Sequence, residues 1–163
     1  MENNKQLDLF ENEEFSFLYS IYDTFPNNEF SELEYKSAQG GFPSDFWKTY
    51  SAFANSNGGI IVFGVSEKKG LLKIDGLEED KISSLKKVFW DKINNPDAVN
   101  SNLLTDDDVK EVEVNSKKVL VFKIPSAKRT QKPIHLTRNP FDNTYKRNHE
   151  GDYKCTREEV RRM

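Results

Sequence analysis

The feature that most constrains the fold is a short apolar run at residues 60–65, Ile-Ile-Val-Phe-Gly-Val, which directly follows two glycines. A continuous apolar run of this length is expected of a central strand that is buried on both faces of a sheet. The glycines, Gly58 and Gly59, end the preceding helix, because glycine tolerates the left-handed conformation that closes a helix. We therefore expect a helix, a glycine turn and a core strand in immediate succession.

The helix before the glycines has a defined start. Either Ser44 or Asp45 can accept hydrogen bonds from the free N–H groups of a first helical turn. Phe46, Tyr50 and Phe53 then fall at positions i, i+4 and i+7, on one helical face. This spacing predicts a helix whose aromatic side chains enter the core.

The rest of the chain alternates between helical and strand patterns. Helical spacing predicts helices at residues 8–22 and 78–94, and the second places one apolar stripe on its inner face, formed by Ile82, Leu85, Phe89 and Ile93. Alternation and turn residues predict strands at 32–36, 71–74, 109–114, 119–124, 133–136 and 144–147, with turns at 67–70, 115–116 and 139–140. A Thr-x-x-Glu capping box opens a final helix at Thr156. We expect an α+β domain with a mixed, mostly antiparallel sheet and helices packed against it.

Length and composition limit the class of protein. The 163 residues fit a single domain, residues 27–163, preceded by a helical extension at residues 1–26. Cys155 has no second cysteine to pair with, which is typical of a reducing compartment. The first residues lack the pattern of a signal peptide and no apolar run reaches transmembrane length. We expect a cytoplasmic protein.

Charge is distributed unevenly along the chain. The net charge is −3, but residues 1–34 carry one lysine against nine acids, whereas residues 126–163 carry ten lysines and arginines against five acids. Phosphate contacts depend on a local basic surface more than on total charge. The later part of the chain is therefore a candidate for contacting an anionic polymer, and the alternative is that these charges only solvate the surface.

Several common catalytic signatures are missing. The sequence has no Gly-x-x-x-x-Gly-Lys-Ser/Thr loop, and its Gly58-Gly59 pair lies between a helix and a strand, the reverse of the order in a phosphate cradle. Two histidines and one cysteine do not supply a Cys/His zinc site. No nucleophile-elbow pattern supports a Ser-His-Asp site. These observations disfavour a self-contained P-loop ATPase and a zinc protein.

The order of motifs from Glu29 onward resembles the Schlafen AlbA-like domain family. The resemblance rests on Glu34-Tyr35-Lys36, on Ala-Phe-Ala-Asn at residues 52–55 with Gly58-Gly59, and on the strand that ends in Gly64-Val65. It extends through the Asp-Gly-Leu segment at 75–77, the strand into Pro125, Lys-Pro-Ile at 132–134 and Tyr-Lys-Arg at 145–147. Together these motifs span the chain from about Glu29 to Arg162.

The resemblance implies a nucleic-acid-binding module, for DNA or RNA, of a transcriptional regulator or a helicase-related protein. In such proteins the domain precedes an ATPase-like region and a winged helix, so we expect this chain to be part of a longer protein. Its expected partner is a nucleic acid and not a membrane, and a homo-oligomer is one alternative for its assembly. Binding of this kind needs no cofactor. The candidate phosphate contacts are Lys36, Lys128, Arg129, Lys132, Lys146 and Arg147.

The family also contains endoribonucleases with three carboxylates, and this suggests a second hypothesis. Glu29 and Glu34 match the first two carboxylates, and Glu67 stands where the family nucleases have an aspartate. Three clustered carboxylates can hold Mg²⁺ or Mn²⁺ and orient a water molecule for attack on a phosphodiester. The longer glutamate at position 67 changes the metal geometry. Alternatively, Glu34 and Lys36, which share one face of a strand, form a solvated ion pair.

Asn55 has two possible roles. As a residue at a helix end it is expected to bond backbone groups, and a nucleotide-sensing or protein-interaction domain could instead use it with the Gly58-Gly59 turn to bind a ligand. Trp47 and Trp90 are expected in the core or at its rim.

Overall fold

The structure is a computed structural model, and it describes residues 20–21, 23–24, 32–149 and 151–163. Of the helix predicted at residues 8–22, only Ser20 and Ile21 are described, and both are helical. Glu29 lies outside the described residues. None of the described helices combines the length and the apolar character that crossing a membrane requires.

A four-stranded sheet forms the centre of the fold, in the order β1-β2-β6-β5. Strand β1 (Leu33–Lys36) runs parallel to β2 (Gly59–Phe63), while β6 (Lys117–Ile124) is antiparallel to both β2 and β5 (Val109–Val114). All five residues of β2 are buried. The prediction of a central strand buried on both faces is confirmed, and its burial follows from its place between β1 and β6.

Two helices cover one face of the sheet. Helix α1 (Phe46–Ala54) buries Phe46, Tyr50 and Phe53 completely, as their spacing predicts. Helix α2 (Glu79–Ile93) buries its predicted stripe in the same core cluster. Aromatic rings fill the space between these helices and the sheet, mostly edge to face, with Phe46 at the centre of the ring contacts. Aromatic pairs in this geometry add roughly 0.5–1.5 kcal/mol each beyond their area burial.

The two ends of α1 differ in how well the sequence predicts them. Gly58 adopts a left-handed φ of +72°, and its N–H donates to Phe53 O at 2.8 Å, so the predicted glycine closure is confirmed. A side chain at Gly58 would also collide with Ile124 O, at 2.6 Å from a built Cβ. The predicted side-chain cap is wrong, because Asp45 makes no capping bond. Its carboxylate instead lies 3.0 Å from the Lys36 ammonium.

A hairpin packs near the opposite face of the sheet. Strand β3 (Val65–Lys68) and β4 (Leu71–Ile74) are joined by a two-residue turn, Lys69-Gly70, in which both residues have positive φ. Positive φ at both central residues is typical of the turn that matches strand twist. Ile21, Leu72 and Ile74 pack with valines of β5 and β6 in a second apolar cluster. The predicted turn at residues 67–70 and the strand after it are confirmed.

The carboxyl-terminal part differs most from the expectation. The segments 133–136 and 144–147 do not pair as two strands, and meet only through an isolated bridge between His135 and Thr144. Residues from Tyr145 onward form strand β7 (Tyr145–Asn148), which pairs with an unpredicted strand β8 (Gly151–Lys154). Helix α3 (Arg157–Arg162) follows with its capping box formed as predicted.

These elements make an α+β fold with a mixed, mostly antiparallel central sheet and helices packed against it, as the sequence predicts. The aromatic residues Trp47 and Trp90 lie in the core and at its rim, as expected.

Candidate functional site

Arg147 lies at the centre of a cluster of ion pairs. Its guanidinium donates from Nη1 to Asp152 Oδ1 at 2.9 Å, from Nη2 to Glu34 Oε2 at 3.2 Å and from Nε to Glu32 Oε2 at 3.3 Å. The side chain is only 7% exposed, and it lies 5.3 Å from the centre of the Phe53 ring. We call these four charged residues the arginine cluster.

Local structure brings the members of the arginine cluster together. The alternation of β1 turns Glu34 towards the helix-covered face, since Leu33 and Tyr35 pack on the other face. In the β7–β8 hairpin, Arg147 and Asp152 are direct cross-strand partners. The second carboxylate oxygen of Asp152 accepts a bond from the buried Thr49 hydroxyl at 2.7 Å. The cluster therefore joins edge strand β1, helix α1 and the late hairpin.

Lys36 belongs to a neighbouring ion pair. Its ammonium lies 3.0 Å from Asp45 Oδ1 and 4.0 Å from Glu34 Oε1, and its side chain is 7% exposed. The interpretation of Glu34 and Lys36 as a solvated pair is wrong in one respect, because the lysine side chain is buried. Glu34 is thus shared between one arginine and one lysine.

The electrostatics of the arginine cluster favour a charged guanidinium. Burial lowers the pKa of Arg147, but the hydrogen bond and charge of Asp152, with the charges of Glu34 and Glu32, more than offset it and raise the pKa above its usual value. Removing one partner of such a pair leaves a buried charge without compensation. Within this structure the cluster ties the hairpin to the sheet.

The three carboxylates predicted as metal ligands are placed differently. Glu34 contacts Arg147 and Lys36, Glu67 is exposed on β3, and Glu29 lies outside the described residues. Across residues 32–149 and 151–163, no group of three or more His, Cys, Asp or Glu side chains is arranged to hold a metal ion. The assignment of Mg²⁺ or Mn²⁺ to these residues stays a prediction.

A second polar network, buried at the end of α1, holds distant backbone segments together. The Asn55 amide donates to Ile134 O at 2.8 Å and to Tyr145 O at 2.9 Å, and its oxygen accepts from Ile134 N at 2.8 Å. Ser51 Oγ donates to Ile134 O at 2.7 Å and accepts from Tyr145 N at 3.0 Å. The prediction that Asn55 bonds backbone groups is confirmed. Asn55 and Ser51, with Ser56, are called the polar clamp.

Ser56 extends the polar clamp to two more points. Its hydroxyl accepts from Arg147 N at 2.9 Å, and its carbonyl accepts from the Ser126 hydroxyl at 2.7 Å. Ala127 N also donates to Ala54 O at 2.8 Å. The start of the basic 126–134 segment and strand β7 are therefore both attached to one helix end, although they follow Ser56 by 70 and 91 residues in the sequence.

The predicted phosphate-binding residues fall into three groups. Lys128 and Arg129 are exposed in the turn after Ala127, Lys132 is half-buried, and none of the three forms an ion pair with a described residue. Lys146 pairs with Glu159 of α3, and this hydrogen bond, followed by one from the Thr156 backbone, lowers the pKa of Glu159 to about 2. Lys36 and Arg147, described above, are buried and neutralised by carboxylates.

Sequence reasoning missed several residues of this site. Glu32 could have been found from its spacing, since it stands two residues before Glu34 in the alternating pattern predicted at residues 32–36. Asp152 lies in a strand with no predicted pattern. Lys48, which lies 5.8 Å from the Tyr145 ring centre, adds a further exposed cation beside β7. Its presence there depends on the packing of α1 against the hairpin.

Comparison with known proteins identifies the domain type. A family model described as Schlafen, AlbA_2 matches residues 29–156. No curated protein sequence matches the chain.

Solved structures share the fold. One is the N-terminal domain of a protein from Nitrosomonas europaea described as related to the ATP-dependent DNA helicase RecG, with 23% identity, a TM-score of 0.54, and coverage of 82% of this chain and 89% of that one. Another is the DIP2311 protein from Corynebacterium diphtheriae, with 17% identity and a TM-score of 0.54. The match covers 91% of this chain but 32% of the DIP2311 chain.

Proposed function

This chain belongs to the Schlafen AlbA_2 family, and on that premise we propose that it is a nucleic-acid-binding domain. The observation that carries the proposal is the polar clamp, which attaches the basic 126–134 segment and strand β7 to the end of α1. The two backbone segments that carry Lys128, Arg129, Lys132 and Lys146 are thereby attached to the same helix end.

The proposed contacts are the cations that remain accessible. Lys128 and Arg129 are exposed and unpaired among the described residues, and Lys132 follows in the same turn. Lys146 adds a charge on β7, shared with Glu159. We leave Lys36 and Arg147 out of the contact surface, because their side chains are 7% exposed and already paired.

The mode of binding follows from the residue types. Lysine and arginine neutralise phosphates, and phosphate contacts carry no sequence information, so binding through these residues is expected to depend strongly on salt. The fold shared with a RecG-related protein is consistent with this setting. We propose that the domain acts within a longer, cytoplasmic regulatory protein. The match to DIP2311, which covers only 32% of that chain, supports the occurrence of a domain of this size in longer proteins.

The test is a fluorescence polarisation series with single- and double-stranded DNA and RNA at several salt concentrations. The variant Lys128→Gln/Arg129→Gln is expected to weaken binding and to reduce the log–log salt slope by about 1.8 on duplex DNA or about 1.4 on a single strand, for two lost phosphate contacts. The matched control Lys68→Gln/Lys69→Gln removes the same charge from another exposed turn and should leave both quantities unchanged.

Two results would contradict the proposal. The first is an unchanged slope in the Lys128→Gln/Arg129→Gln variant, and the second is an equal loss in the control. The recovered RNA should also be intact after incubation with Mg²⁺ or Mn²⁺. Metal-dependent cleavage that Glu34→Gln abolishes would instead support the three-carboxylate nuclease.

A further inference from the structure

The β3–β4 hairpin and the β5–β6 turn border a groove that the nucleic-acid proposal does not use. Lys68, Lys69, Lys73 and Lys117 line it. Lys73 lies 3.6 Å from Asp75, while Lys68 and Lys69 form no ion pair with a described residue. The groove, called the hairpin groove below, therefore has an excess of positive charge.

The lining of the hairpin groove is also apolar. Leu71, beside the hairpin turn, is 59% exposed, although large aliphatic side chains are usually buried. Leu72 and Ile74 are half-buried on the same strand. Phosphates gain nothing from contact with exposed leucine, whereas a peptide with both carboxylates and large apolar side chains matches both properties of the surface.

The position of Ile21 identifies a peptide of this kind in the same chain. Ile21 is fully buried in the cluster that also contains Leu72 and Ile74, and both of these residues line the hairpin groove, so Ile21 itself lies beside it. Residues 7–18 read Leu-Asp-Leu-Phe-Glu-Asn-Glu-Glu-Phe-Ser-Phe-Leu, with four acids, no lysine or arginine, and six large apolar residues. A twelve-residue helix is about 18 Å long, and an extended segment is longer, so the reach is sufficient.

We propose that the hairpin groove is the docking site of the acidic amino-terminal segment, residues 7–18, of this same chain. The carboxylates lie against Lys68 and Lys69, and the apolar side chains cover Leu71. This surface is separate from the proposed nucleic-acid contacts. The hairpin groove lies at the Lys117 end of β6, and Lys128 follows the Ile124 end, about 24 Å of strand away.

The experiment is hydrogen–deuterium exchange by mass spectrometry on the full chain. In the wild type, amides of residues 7–18 should exchange more slowly than an unstructured peptide of the same sequence. Lys68→Glu/Lys69→Glu should accelerate their exchange by about threefold to tenfold, while exchange in β2 stays slow and shows that the variant is folded. The control Lys128→Glu/Arg129→Glu should leave exchange in residues 7–18 unchanged.

A charge swap makes the test specific. Adding Glu13→Lys/Glu14→Lys to Lys68→Glu/Lys69→Glu should restore the slow exchange of residues 7–18. Docking is overturned if those residues exchange like the free peptide in the wild type, or if the groove variant leaves their exchange unchanged. A groove variant that loses nucleic-acid affinity without altering exchange would also overturn it, and would assign the groove to nucleic acid.

Discussion

Replacing Asn55 with alanine tests whether the polar clamp organises the domain. The variant leaves the N–H of Ile134, a fully buried residue, without its acceptor, and an unsatisfied buried donor costs about 1–3 kcal/mol. The two bonds from the Asn55 amide to Ile134 O and Tyr145 O contribute about 1 kcal/mol each. Ser51 still donates to Ile134 O, so that oxygen keeps one partner.

The sum for Asn55→Ala is about 4 kcal/mol of unfolding free energy, which for a chain of this size lowers Tm by roughly 8–16 °C. The measurement is thermal and urea unfolding followed by circular dichroism. Asn94→Ala is the matched control, because Asn94 also stands at a helix end but its exposed amide bonds only local groups, Trp90 O at 2.9 Å among them. We expect the control to cost about 0.5 kcal/mol.

A second substitution distinguishes the two hydrogen bonds that the Asn55 amide nitrogen donates from the one that its oxygen accepts. Asn55→Asp keeps an oxygen for Ile134 N but directs negative charge at two carbonyl oxygens, so it should be at least as unstable as Asn55→Ala at pH 7. Its deficit should shrink as pH falls, since a protonated carboxyl donates again. If Asn55→Ala lowers Tm no more than Asn94→Ala does, the assembly of the basic surface does not depend on the polar clamp.

Three further predictions concern charged and titratable groups. Arg147→Met should cost about 3–5 kcal/mol at pH 7 because Asp152 and Glu32 lose their cationic partner and Glu34 keeps only Lys36. The cost should be smaller at pH 4, and an equal cost in urea unfolding at both pH values would contradict this. Burial, then the Glu159 charge, raises the pKa of Cys155 from 9.0 to about 11, so its reaction with Ellman's reagent at pH 8 should be at least about 100-fold slower in the folded than in the unfolded chain. The hydrogen bond with Lys146 lowers the pKa of Glu159 to about 2, so the stabilisation by this pair is complete above about pH 4.5 and is lost as pH falls towards 2. An NMR titration of Glu159 with a midpoint near its usual value would refute the pairing.

Local patterns predicted most of the regular elements. The central strand, the stripe of α2 and the hairpin at 115–116 were identified correctly, because burial on one or two faces leaves a period in the sequence. The predicted run at 60–65 is divided, however, since β2 ends at Phe63 and Val65 begins β3 after Gly64, which has a positive φ. The strand predicted at 144–147 is found one residue later as β7, whereas the strand predicted at 133–136 does not form. The backbone of Ile134 bonds to the Asn55 and Ser51 side chains instead of to a neighbouring strand, and no periodicity records such a bond.

In the candidate site, too, the sequence predicted some features and the packing of the chain decided others. The local excess of basic residues made Lys128 and Arg129 candidate phosphate contacts, and both side chains are exposed in the structure. A charged side chain in a turn stays exposed when no oppositely charged group packs against it. Arg147 had the same charge in the sequence but became buried among three carboxylates from β1 and β8. The predicted domain boundary at residue 26 and the metal ligands stay predictions.

The sequence by itself determined the α+β class, the central strand and the family, since these depend on the spacing of apolar residues and on motifs read along the chain. Only the tertiary structure decided which charges stay available to a partner. That outcome depends on which acids approach each cation in space, as Asp152 and Glu34 approach Arg147, and burial multiplies the strength of such pairs. Distances between residues more than a hundred positions apart are set by packing and leave no local trace.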